Sequence, residues 1–257
     1  MQFLLALIMS ISIGATTGYL GSLMVSKRMA LMGGALGHLT LPGIALGLIY
    51  NFDVSLGALA FLFIGITLIW ALEQKTKLPI EALTAIVFSS SVSIAFLFLP
   101  QDQTFKALLG DISDLTILAA TITTITSGII FFITRKIYAQ LILMSISQDL
   151  AQVEKINIKL YKLIYLMCIA IMVALGVRMV GGLLTAALVS IPACTSKNIS
   201  HNLFQYSYGA LLTGALACLS GLLLFKITSI PAGPLIIISS TTLFLISLFF
   251  TKKSYQP

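Results

Sequence analysis

Apolar residues fall into long blocks separated by short polar gaps from one end of the chain to the other. The blocks lie near 3–26, 29–50, 54–72, 80–99, 115–134, 160–178, 179–196, 203–226 and 231–250. Most reach or approach the roughly 20 apolar residues with which a helix crosses a bilayer. The pattern predicts an all-α polytopic membrane protein with eight or nine transmembrane helices. Residues 3–26 are too long for the apolar core of a cleaved leader, and another block follows almost at once, so they read as the first span. The longest polar stretch, about 145–162, is too short to bury a core of its own. Residues 1–257 are therefore expected to form a single transmembrane domain.

Composition agrees with this picture. The chain has 257 residues, 58% hydrophobic and only 9% charged, with mean hydropathy +1.07. A soluble domain carries about 25% charged residues. So few charges cannot cover a water-exposed surface, which excludes a soluble enzyme, a disordered chain and a nucleic-acid binder. The net charge of +7 does not reopen the last class, because the basic residues sit in the gaps rather than in a stripe with aromatics. If all nine blocks cross, one side receives Lys27, Arg28, Lys75, Lys77, Arg135, Lys136, Lys155, Lys159, Lys162, Lys197, Lys252 and Lys253, and the other only Lys106, Arg178 and Lys226. Without a crossing at 179–196 the split weakens from 12:3 to 10:5. The positive-inside rule thus favours nine spans, with the N-terminus outside and the C-terminus in the cytoplasm. Cys168, Cys194 and Cys218 are odd in number, lack C-x-x-C spacing and read as small buried hydrophobes.

Two blocks are unusual. Block 29–50 carries His38, Pro42 and five glycines, Gly34 and Gly43 among them; block 179–196 opens with Gly181-Gly182 and ends at Pro192. Glycine and proline loosen a helix, which a membrane tolerates where protein or a cavity covers the freed backbone. Interrupted helices in transporters often line the substrate path. His38 lies about ten residues into its block, and a polar group at that depth is a functional candidate by default. Two readings stand: a transition-metal ligand, or an imidazole hydrogen-bonded to a carbonyl freed nearby. His201, in a gap beside Ser200 and Asn202, reads as solvated.

The acidic residues, Glu81 included, lie at block ends or in gaps. That argues against a proton-coupled carrier with a buried carboxylate relay. H-E-x-x-H, G-x-S-x-G and the G-x-x-x-x-G-K-[ST] phosphate loop are all missing from the sequence, so neither hydrolysis within the membrane nor ATP hydrolysis by this chain is expected. Ser147-Gln148-Asp149-Leu150-Ala151 opens like a capped helix. The amphipathic segment that follows reads either as a docking helix or as a connector on the headgroups.

The stretch Gly33-Gly34-Ala35-Leu36-Gly37-His38-Leu39-Thr40-Leu41-Pro42-Gly43-Ile44-Ala45 resembles the G-D-x-x-x-H-x-x-x-P-G-I-A segment of the zinc/manganese/iron ABC transporter permeases. Four more stretches match that family in order: Glu81–Phe88, Leu108-Leu109-Gly110-Asp111-Ile112, Val180–Leu184 with Ile191-Pro192-Ala193-Cys194-Thr195, and Pro231-Ala232-Gly233-Pro234. The resemblance implies a non-enzymatic permease that forms a homodimer in the bacterial cytoplasmic (inner) membrane. It binds two cytoplasmic ATPase subunits and receives a divalent metal from an extracytoplasmic binding protein. Its only cofactor-like ligand is the transported ion itself, and its remaining contacts are with membrane lipid. The resemblance also implies that residues 148–158 form the helix coupling to the ATPase, with Asp149, Leu150, Ala151, Glu154 and Lys155 at the contact. Lys155 stands where the family has glycine.

The same resemblance places metal at His38, with Gly34, Pro42, Gly43, Gly181, Gly182 and Pro192 lining the path or breaking its helices. One departure concerns Gly34, where the family has the aspartate whose i, i+4 spacing lets it share a metal with the histidine. Two copies of His38 meeting across a dimer axis would give a nitrogen-rich site better suited to zinc than to manganese. The alternative reading is a secondary metal carrier that works without an ATPase.

Overall fold

The computed structural model describes residues 2–27, 29–76, 78–98, 116–181, 185–228 and 230–250. Among these residues there are eleven helices and no strand: α1 (Gln2–Ser26), α2 (Ala30–Leu39), α3 (Leu41–Tyr50), α4 (Val54–Lys75), α5 (Ile80–Phe98), α6 (Ile117–Ile146), α7 (Gln148–Val153), α8 (Ile158–Val180), α9 (Thr185–Ile199), α10 (Leu203–Thr228) and α11 (Ala232–Leu248). Among the described residues seven segments are long and apolar enough to cross a membrane, one of them Gly33–Tyr50 made from α2 and α3 together; α11 is a shorter apolar helix of 17 residues. The chain is a multi-pass, all-helical membrane protein.

The unusual blocks break where their residues demand it. Pro42 has no N–H to give the carbonyl four residues earlier, that of His38, so the hydrogen-bond ladder is interrupted between α2 and α3. Thr40 sits at the joint, its backbone N–H and its hydroxyl both donating to the Gly37 carbonyl. Block 179–196 is not one helix. α8 runs on to Val180 and stops at Gly181, whose φ of 86° suits glycine, and α9 starts only at Thr185. Gly182 lies outside the described residues. The 15 residues of α9 span about 22 Å, short of a hydrocarbon core of about 30 Å. Pro192 lies inside α9 rather than at its end, and its carbonyl accepts a hydrogen bond from Thr213 Oγ1 of α10 at 3.0 Å.

The block expected to end near residue 134 is the start of a longer rod. α6 continues through exposed Arg135 and Lys136 to Ile146, 30 residues in all. Beyond the basic pair, Leu141, Ile142 and Met144 are buried, and α6 packs on α1 and α8. That burial keeps the segment helical where charge alone suggests a gap.

α1 is the hub, in contact with α6, α8, α9 and α10. Lipid tails are as apolar as leucine, so helices associate in a membrane through close packing and polar contacts rather than through the hydrophobic effect. Both are present. A Cβ at Gly14 or Gly18 would overlap the backbone of Gly214 or Ala210, so α1 and α10 meet backbone to backbone. Tyr165 Oη of α8 donates to the Leu20 carbonyl at 2.9 Å, and Thr16 Oγ1 donates to the Ser127 carbonyl of α6 at 3.3 Å. Large side chains such as Ile125, Ile129 and Phe132 of α6 stay exposed, as lipid-facing residues do.

One end of the bundle collects charge. Lys162 near the start of α8 pairs with Glu73 near the end of α4. The Lys27 ammonium, just past α1, lies 5.3 Å from the centre of the Tyr165 ring. Burial, reinforced by the positive charge of Lys162, pushes Lys27 down to about 8. α5 follows α4 after a short link and starts at this same basic end.

Candidate metal pathway and docking segment

His38 sits in the last turn of α2, half-buried, with its ring 5.0 Å from that of Phe88 on α5 and tilted 52° to it. Neither imidazole nitrogen has a hydrogen-bond partner among the described residues. Thr40 serves the Gly37 carbonyl, and among the described residues the His38 ring bonds neither that carbonyl nor the one Pro42 frees, so the reading of His38 as a cap finds no support. The ring opens instead onto a cleft of about 330 Å³ in which Gly34, Ala35 and His38 face Glu81, Thr84 and Phe88. A polar, unpartnered side chain lining a cleft within a membrane helix can take up a cation through a neutral ring nitrogen.

The other residues expected along the path have different surroundings. Gly34 lines the same cleft, and a Cβ there would meet nothing within 4 Å. Pro42 borders a separate apolar cleft with Leu39, Gly65 and Ser91. Gly43 is buried against Gly57, where a Cβ would overlap the α4 backbone, so it serves the packing of α3 on α4. Gly181 ends α8. Cys194 is half-buried and free, while Cys168 and Cys218 are buried and free. Among the described residues no three His, Cys, Asp or Glu side chains form a metal-holding group.

Glu81, read from the sequence only as an acid at a block end and the first residue of a matching stretch, lines the His38 cleft. It lies at the start of α5, where a charge looks like part of a gap. The signal was its spacing: Glu81, Thr84 and Phe88 recur at i, i+3 and i+7, one face of a helix.

The segment after α6 has a defined shape. Ser147 Oγ accepts from the Leu150 N–H at 3.3 Å, which caps α7. α7 is six residues long rather than reaching residue 158. It closes when the Ile156 N–H bonds the Ala151 carbonyl at 3.0 Å, with Lys155 in the left-handed region at φ 56°. This is a Schellman-type end, whose left-handed position is usually filled by glycine. Ala151 is fully buried and anchors the turn; Asp149, Leu150, Val153, Glu154 and Lys155 face out. Asn157 then caps α8 by accepting from the Leu160 N–H at 3.1 Å. Beneath the segment lies a groove of about 650 Å³ lined by Leu143, Leu150, Val153, Lys155 and Tyr161.

The profile of the ABC 3 transport family matches residues 1–251. The chain belongs to the ABC 3 transport family. Within it, the high-affinity zinc uptake system membrane protein ZnuB of Haemophilus influenzae is 30% identical over 259 aligned residues, covering 96% of this chain and 97% of that protein. The manganese import system permease protein ScaB of Streptococcus parasanguinis is 26% identical, covering 96% and 90%. In solved structures, PsaBC from Streptococcus pneumoniae in complex with Fab superimposes with a TM-score of 0.83 at 25% identity, covering 96% of this chain and 91% of that one. This ABC 3 family member is thus a membrane-spanning component of an ABC transporter. Membership gives no support to a carrier that works without an ATPase.

Proposed function

We propose that this chain is the permease subunit of an ATP-driven importer of a divalent transition metal, with zinc as its main cargo. The observation that carries the reading is His38, unpartnered and turned into a cleft within a membrane-crossing segment. The names of its ABC 3 relatives, zinc and manganese permeases, agree with a cation of this class. An imidazole as the only side-chain ligand on α2 favours zinc over manganese, which prefers oxygen donors.

The permease works as a homodimer in the bacterial cytoplasmic membrane, with its N-terminus outside and its C-terminus in the cytoplasm. An extracytoplasmic protein delivers the ion. Two ATPase subunits dock on the cytoplasmic side against α7 and its turn, where Leu150 and Val153 supply exposed apolar contact beside Asp149, Glu154 and Lys155. This chain contributes no catalysis. ATP hydrolysis belongs to the partner, and α6 links α7 directly to the membrane core.

The test is ATP-dependent uptake of zinc, manganese and iron(II) by proteoliposomes holding the permease, its ATPase and its binding protein. Zinc uptake that needs ATP and falls at least about tenfold in His38→Ala is the expected result. Uptake independent of ATP would remove the importer, and uptake indifferent to His38 would remove the site.

A further inference from the structure

We propose that Glu81 is a second metal ligand in the His38 cleft, an oxygen donor that takes the ion on the side of His38 nearer the basic end of the bundle. The proposal rests on the importer reading above and adds a residue that the α2 motif does not contain.

Three observations converge on it. The α5 face bearing Glu81, Thr84 and Phe88 is the one that meets α2, as the 5.0 Å ring contact between Phe88 and His38 establishes. Glu81 is exposed and has no ion-pair partner among the described residues. Position 34, which an i, i+4 spacing would make the partner of His38, is glycine beside open space. The α2 side of the cleft therefore offers nitrogen but no carboxylate, and Glu81 supplies the only carboxylate among the cleft's described lining residues. The cleft volume of about 330 Å³ leaves room for an ion that keeps part of its hydration shell.

Geometry also sets the order of contacts. Phe88 marks the level of His38, and Glu81 lies seven residues earlier, about 10 Å along the axis. Zinc bonds are about 2 Å long, so the two side chains hold the ion in succession rather than as one chelate. Two incomplete ligand sets in series suit a site that must let its ion go.

Glutamate in the first turn of a helix also favours the positive end of the helix dipole. The experiment separates this role from ligation. The full permease, with its ATPase and binding protein, is reconstituted as wild type, Glu81→Gln, Glu81→Asp, Gly34→Asp and Glu81→Gln/Gly34→Asp. Zinc and manganese uptake are measured beside the thermal midpoint of each variant. The expected result is a loss of at least about tenfold in zinc uptake for Glu81→Gln with an unchanged midpoint. Manganese uptake falls further than zinc uptake, since manganese depends more on oxygen donors. Glu81→Asp keeps most activity, and the double variant recovers it, because position 34 has room for a carboxylate facing the same cleft. Wild-type uptake in Glu81→Gln overturns the proposal while the importer stands. Equal losses of uptake and midpoint in both Glu81 variants, without rescue by Gly34→Asp, also overturn it. Failure of the wild type to move any metal with ATP overturns the importer reading and the ligand with it.

Discussion

Lys155 carries a long side chain at φ 56°, a conformation that costs a non-glycine residue about 1 kcal/mol or more. Lys155→Gly should relieve that cost and slow amide hydrogen exchange at Ile156, whose N–H closes the turn; Lys155→Val should speed it. Mass-resolved exchange on the detergent-solubilised permease reads both. Lys27 gives a pH-dependent prediction. Its folded value of about 8 lies below the ordinary 10.5, first because of burial and then because of Lys162. Between these values the unfolded chain binds more protons than the folded one, so stability rises with pH across that window, and the full penalty is present below about 8. Lys27→Met should raise the thermal midpoint at pH 7 and flatten its rise between pH 8 and pH 10. Scans of wild type and variant across that range test it, and an unchanged slope would contradict the assignment to Lys27.

At the scale of elements, the seam between α1 and α10 has no slack. Gly18→Leu should cost most of the folded protein, because the added side chain meets the Ala210 carbonyl, whereas Gly128→Leu on α6, with open space around its Cβ, should be tolerated. The yield of monodisperse protein after detergent extraction compares the two. These seams also show what a sequence can reveal. Crossing helices were legible because about 20 apolar residues have few other uses, and the interruptions near Pro42 and Gly181 were legible because proline lacks a donor and glycine tolerates positive φ. The length of α6 was not: Arg135 and Lys136 look like a loop until the burial of Leu141, Ile142 and Met144 is known. Half of the candidate cleft was legible, since His38 is polar inside an apolar block. Its other half was hidden, because Glu81 becomes a neighbour only once α5 lies against α2.

For the whole molecule, the outer surface divides into two kinds. α6 presents Ile125, Ile129 and Phe132, whereas α5 presents, between exposed Ile86 and Ile94, the hydroxyls of Ser89, Ser90 and Ser93 in the middle of a crossing helix. Hydroxyls gain little from lipid tails, so this α5 face fits a water-lined path or a second copy of the chain. In a cysteine-free background, Ser89→Cys should react with a membrane-impermeant thiol reagent or cross-link between copies, and Ile129→Cys should do neither.

The unbroken run of α6 into the cap of α7 has a further consequence, one of phase. Each residue of an α-helix turns the next by about 100°, so one residue inserted after Gly128 would swing everything beyond it by that angle. α7 would then point its exposed Leu150 and Val153 away from any surface they now meet, though no contact residue had changed. A seven-residue insertion would bring the face back to within about 20° of its present bearing, but about 10 Å further along the axis. In such a part angular register is inherited along the chain, and the spacing between Gly128 and Ser147 is as much a component of the machine as any side chain in it.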